Sequence, residues 1–142
     1  MSANFILVTM KTFVKVEGDA KDEAIERLRK IAIAMPKICV YDTVLHERVQ
    51  AGELSGYGIP GAGGGGQTEN SIDMVMAYFG GPDEITRERC SNIVSTSGID
   101  LGEYDFAYEW TGSPSADQVK RLEKDIKTTL DPLKIKYSIK SE

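Results

Sequence analysis

Between Gly52 and Asn70 the chain reads GELSGYGIPGAGGGGQTEN and holds eight of its 14 glycines, four of them consecutive at Gly63, Gly64, Gly65 and Gly66. A glycine inside a helix or strand costs ~0.5–1 kcal/mol relative to alanine. The stretch therefore reads as a loop, and it divides the sequence into two halves. Loops this long in a compact domain are functional or disordered more often than incidental. Successive amides without side chains form a nest for an anion such as phosphate. The stretch holds no GxxxxGK[ST], and the segment after it reads as a strand, so a helix dipole does not assist. A bare hairpin loop and a loop that orders on a ligand or partner both fit. For the second, the candidate contacts are Arg48, Tyr57 and Gly63 to Gly66.

On the N-terminal side, residues 5–16 are rich in β-branched and aromatic types and alternate from Lys11, which predicts strand one. Gly18 ends it. Asp19 is the expected N-cap, with Asp22 and Glu23 in the first turn. Ala24, Ile25, Leu28, Ile31, Ala32 and Met35 follow at helical spacing, and Pro36 stops the helix. Residues 38–49 read as strand two, with Ile38, Val40, Asp42, Val44 and His46 on one face.

Beyond the loop, Ile72 to Phe79 is apolar on both faces apart from Asp73 and reads as a central strand three. Gly80-Gly81 turns the chain. Pro82 starts an expected second helix that ends at Gly98. Strand four, 103–110, places Tyr104, Phe106, Tyr108 and Trp110 on one face, and Asp105, Ala107 and Glu109 on the other. Ser115 and Gln118 match a capping box, and Val119, Leu122, Ile126 and Leu130 predict helix three. Strand five, 134–140, turns Ile135, Tyr137 and Ile139 inward and lysines outward, which protects an edge.

This order predicts one α+β domain over residues 1–142 on the ferredoxin-like βαββαβ plan, with sheet order 4-1-3-2. A C-terminal αβ unit is added, and the glycine-rich loop lies between strands two and three. The segments from Asp22 and from Asp83 echo each other, as a duplication or as two helices obeying the same rules. The architecture is similar to that of the PII and ACT regulatory domains, and PII proteins also carry a long loop between strands two and three. The likeness lies in the order of elements, and no signature segment of those families is placed on this chain.

Composition narrows the function. Net charge is −5, which argues against a general nucleic-acid binder. Residues 52–112 hold two basic and ten acidic side chains, while both flanks are mildly positive. That pattern fits a solvated acidic surface, or docking of one subunit's middle on another's flank. Cys39 and Cys90 lie in no metal or disulfide pattern, and the N-terminus reads as a strand rather than a leader or membrane span. A cytoplasmic location is the expectation, and Met10 is a second plausible start, which would make residues 1–9 an extension.

The strand-four aromatics need a cover: helix three, a second subunit, or stacked bases, although the basic-aromatic pattern of RNA-binding sheets is missing. Asp42 and His46, with Asp73 and Glu109 on neighbouring strands, resemble a carboxylate–histidine metal or acid–base site, at a spacing common by chance. The leading expectation is a non-enzymatic, homo-oligomeric sensor or interaction module whose loop engages a small anionic metabolite or partner protein. No cofactor, metal, nucleic acid or membrane is expected. The rivals are a small enzyme with a cleft at the loop base using Asp42 and His46, and an accessory subunit of a larger complex.

Overall fold

The computed structural model describes residues 10–50 and 69–142. Residues 5–9 of the expected first strand, and residues 52–68 of the glycine-rich stretch with Tyr57 and Gly63 to Gly66, lie outside the described residues. The elements are β1 (Lys11–Glu17), α1 (Lys21–Ile33), β2 (Ile38–Asp42), α2 (Thr43–Gln50), α3 (Glu69–Tyr78), α4 (Arg87–Cys90), β3 (Phe106–Trp110), α5 (Ala116–Leu130), a 3-10 turn (Asp131–Leu133) and β4 (Lys136–Ser141). The chain is therefore a mixed helix-and-sheet fold, α+β as expected. The four strands among the described residues form one antiparallel sheet in the order β2-β3-β1-β4.

One sheet face carries Ile38, Val40, Phe106, Tyr108, Trp110, Val14 and Val16, as the register and the two-residue period require. The helices α1 and α5 cover it, packing on each other and on the strands. Their buried stripes are Ala24, Ile25, Leu28 and Ala32 on α1, and Val119, Leu122, Ile126 and Leu130 on α5. Phe106 and Tyr108 are fully buried, Trp110 nearly so, and the Tyr108 hydroxyl donates to the Leu28 carbonyl at 2.7 Å. Three of the four aromatics are thus covered from within the chain, whereas Tyr104, expected on the same face, precedes β3 and packs on Phe13 of the opposite face.

Three expectations fail, each for a local reason. Strand two ends at Asp42. Asp42 Oδ1 accepts from the amides of Val44 and Leu45 at 2.9 and 3.0 Å, which is an N-cap, and Leu45 and Val49 are then buried at a spacing of four. The expected strand three is helix α3. Val75 and Phe79 are buried four residues apart, and a short apolar run does not by itself distinguish strand from helix. Glu69 and Asn70, read as the end of the loop, begin this helix, and Gly80 and Gly81 close it at positive φ, with the Gly81 amide donating to the Met76 carbonyl at 2.9 Å. The glycine-rich stretch therefore joins two helices in sequence, not two strands.

The second helix is a single turn, Arg87–Cys90, capped by Thr86. Beyond it the chain extends along β2: Val40 N donates to the Ile93 carbonyl at 2.7 Å, and Ser95 N donates to the Val40 carbonyl at 2.8 Å. β2 is buried at all five positions, so its outer amides and carbonyls need partners. Segment 93–95 supplies them, and that pairing outweighs the helical pattern. A smaller correction concerns α1, whose N-cap is Ala20 rather than Asp19.

Helix α5 depends on its cap, because the capping box is complete: Gln118 N donates to Ser115 Oγ, and Ser115 N donates to Gln118 Oε1. Replacing Ser115 by alanine is expected to cost about 1 kcal/mol. Urea unfolding checks this, as a lower midpoint at unchanged slope; an unchanged midpoint would mean that the cap is idle.

Candidate functional site

The four polar residues expected to converge are placed in separate environments. Asp42 is fully buried at the end of β2. Its Oδ1 is taken by the two α2 amides. Its Oδ2 receives the Tyr78 hydroxyl from α3 and lies 3.5 Å from Arg29 Nε of α1. The Arg29 guanidinium also lies over the Tyr78 ring, 3.2 Å from its centroid. Burial, and then the Asp42 charge, hold the Tyr78 phenol well above its ordinary range. Asp42 therefore joins three helices to the sheet.

Glu109 lies opposite Cys39 in the β2–β3 ladder, on the face away from α1 and α5. Ser95 Oγ donates to Oε1 and Ser97 Oγ to Oε2, each at 2.9 Å. Cys39 Sγ lies 3.6 Å from Oε1. Burial, reinforced by the Glu109 charge, pushes the Cys39 thiol up to about 12. Asp73 is exposed and pairs with Arg87 at 2.6 Å. Among the described residues, no group of three or more His, Cys, Asp or Glu is placed to hold a metal ion.

His46, like Asp73, lies on an open surface. It is exposed on α2, and its Nδ1 lies 2.9 Å from the hydroxyl of buried Tyr41. It lines a groove of about 340 Å³ between α2 and segment 99–104, together with Thr43, Glu47, Ile99, Leu101 and Tyr104. The groove is held on both sides. Tyr104 stacks at a tilt on Phe13 of β1, with ring centroids 5.3 Å apart, and Asp100 Oδ1 accepts from Gly102 N at 3.0 Å. Arg48 is half-buried in the last turn of α2, where a cation complements the helix dipole. α2 leads in sequence directly into the glycine-rich stretch.

Sequence reasoning missed Arg89. Its Nη2 donates to the carbonyls of Ala32, Met35 and Ile38 at 2.9, 3.0 and 2.6 Å. It thereby fastens the α4 turn to the junction of α1 and β2. No sequence spacing announces such a contact. The Asp42 cap was missed as well, because residues 38–49 read as one strand, although an acidic residue three positions before Leu45 is a signal that could have found it.

Compared with protein-family models, curated proteins and solved structures, the chain finds no match in any of the three.

Two outcomes test the buried groups. Asp42→Asn keeps the shape but exchanges an acceptor for a donor facing Tyr78 and Arg29. It is expected to cost about 3 kcal/mol, with Tyr78→Phe at about 1 kcal/mol; a loss below Tyr78→Phe in urea unfolding would remove Asp42 from its central place. Cys39 has an ordinary value of 9.0, raised to about 12 in the fold. Its contribution is present below pH 9 and fades as pH rises from 9 to 12, because the unfolded chain ionises first. Stability therefore falls there by up to ~1.4 kcal/mol per pH unit for this thiol. Cys39→Ala should flatten that fall in alkaline unfolding curves; parallel curves for the two proteins would contradict it.

Proposed function

We propose that this chain is a binding module, sensing a small molecule or engaging a protein partner, rather than a catalyst. The groove between α2 and segment 99–104 carries the reading. It sets exposed His46 and Glu47 above an apolar floor of Ile99 and Leu101, beside half-buried Tyr104, a mixture suited to a small ligand or a partner side chain. The glycine-rich stretch follows α2 immediately, so Arg48, Tyr57 and Gly63 to Gly66 belong to the proposal as contacts from that stretch and its approach.

Groups able to do chemistry are occupied elsewhere. Both oxygens of Asp42 are engaged and the residue is fully buried, whereas His46 is exposed and faces Tyr41. That weighs against Asp42 and His46 working as an acid–base pair. The high Cys39 value weighs against a thiolate nucleophile.

The frame is part of the same proposal. The order β-α-β followed by β-α-β, with strands reading β4-β1-β3-β2 from the other edge, supports a ferredoxin-like plan with α2, α3 and α4 inserted between β2 and β3. Self-association is part of it too. Lys15, Lys136 and Lys140 stand on the face away from α1 and α5, and the acidic segment around Asp83, Glu84 and Glu88 suits them on a second copy. Edge-to-edge pairing of two β4 strands about Ser138 would set Lys136 against Lys140, which is unfavourable. Contact through faces is therefore the proposed mode.

Light scattering with a thermal-shift screen of nucleotides, metabolites and metals tests this. The expected result is a multimer and at least one ligand that raises Tm. At 100 times its Kd a ligand adds ~2.7 kcal/mol, roughly 5–10 °C for a domain of this size. His46→Ala and Tyr104→Ala should remain folded and lose that shift. A monomer without any ligand response would overturn the proposal.

A further inference from the structure

We propose, resting on the groove between α2 and segment 99–104 as the binding site, that its ligand is a small organic cation: a protonated amine or guanidinium on an apolar body. The cavity, about 340 Å³, sets the size, and its two walls set the charge.

The floor is apolar and firmly held. Ile99 and Leu101 are buried, and Tyr104 beside them is half-buried and stacked on Phe13 of β1. Such a floor receives the apolar part of a ligand.

Each wall then contributes one carboxylate. Glu47 stands on α2 and Asp100 on the facing segment, and both are exposed and line the groove. Among the described residues neither is paired with a cation. Asp100 Oδ1 accepts from Gly102 N, which leaves Oδ2 for a ligand. Among the described residues no lysine or arginine lines the groove. Lys140 lies within electrostatic reach of Tyr104, but it is paired with Glu142 at 3.1 Å and also feels Glu103.

The positive end of the α2 dipole, at Thr43, would by itself favour an anion. Asp42 already occupies that end. Its Oδ1 accepts from the amides of Val44 and Leu45, and a full negative charge there exceeds the half charge of the helix. His46, on the same wall, has its Nδ1 2.9 Å from the Tyr41 hydroxyl. An anion would therefore enter between two carboxylates with no cation to meet it, whereas an ammonium group would meet both. The sign is opposite to that of the anionic metabolite expected from the glycine-rich stretch. Segment 99–104 belongs to the acidic middle of the chain, where residues 52–112 hold ten acidic and two basic side chains.

Benzylamine, benzyl alcohol and benzoate share one ring and differ in charge at neutral pH, so together they separate sign from size. Each is titrated into the full chain at constant ionic strength, and the backbone amide cross-peaks of Gly102 and Tyr104 are followed in a proton–nitrogen correlation spectrum. The expected result is a saturable shift with benzylamine at a Kd on the order of 1 mM, roughly tenfold weaker binding of benzyl alcohol, and none of benzoate. Glu47→Gln and Asp100→Asn should each weaken benzylamine about threefold, and together about tenfold, while benzyl alcohol binds as before. Both positions are exposed, and the unperturbed remainder of each spectrum shows that the variant is folded. Benzyl alcohol or benzoate binding as tightly as benzylamine, or unchanged benzylamine binding in the double variant, would overturn the cation assignment and leave the groove standing as a binding site. Silence of all three probes at these amides would overturn the groove and the cation assignment together.

Discussion

A carboxylate withdrawn from water must have both oxygens satisfied, and Asp42 draws its partners from three helices. Its position at the last residue of β2 makes that satisfaction architectural. One oxygen starts α2 by accepting two of its free amides, and the other holds Tyr78 of α3 and faces Arg29 of α1. The chain leaves the sheet at this residue and returns to it some sixty positions later at Phe106. The carboxylate is what fastens the departing helices to the strand they left. Removing one partner of such a group leaves a buried charge or donor unmatched, which is more damaging than the net value of any one of its bonds.

The same logic governs the other side of β2. The strand is buried at every position, so an unpaired edge would leave its peptide groups without partners. Segment 93–95 closes that edge in parallel, and Arg89 bonds three carbonyls at the turn from α1 into β2. Ser95 and Ser97, carried in with the segment, then satisfy Glu109 beneath it. Among the described residues nothing pairs with the opposite edge, β4, which displays Lys136 and Lys140, a pattern that resists unwanted pairing. One edge is thus closed by the chain and the other guarded by charge.

These arrangements bear on function by elimination of roles. The buried acids and the Cys39 thiol are occupied in holding the segments between β2 and β3 against the sheet. Exposed His46 and Glu47 instead line the groove between α2 and segment 99–104. That groove borders α2, which precedes the glycine-rich stretch in sequence.

Local signals determined about half of this architecture. α1 and α5 were legible because amphipathic spacing, caps and stop residues act within one or two turns, and the Ser115–Gln118 box and the α5 stripe are placed as the sequence implied. β1, β3 and β4 were legible from alternation, with ends displaced by a few residues. The segment 72–79 was not legible, because eight residues, all apolar but Asp73, satisfy a buried strand and a buried helix equally well. Neither was the shortening of the helix after Pro82, which follows from the need of Val40 for partners more than fifty residues away. His46 could be named from the sequence, but its separation from Asp42 could not, since it follows from β2 ending at Asp42 and from α2 burying Leu45 and Val49 while leaving His46 outside. Spacing encodes what neighbouring residues do to one another; only the folded chain decides which distant backbone groups must be satisfied, and that decision set α2, α3 and the candidate groove.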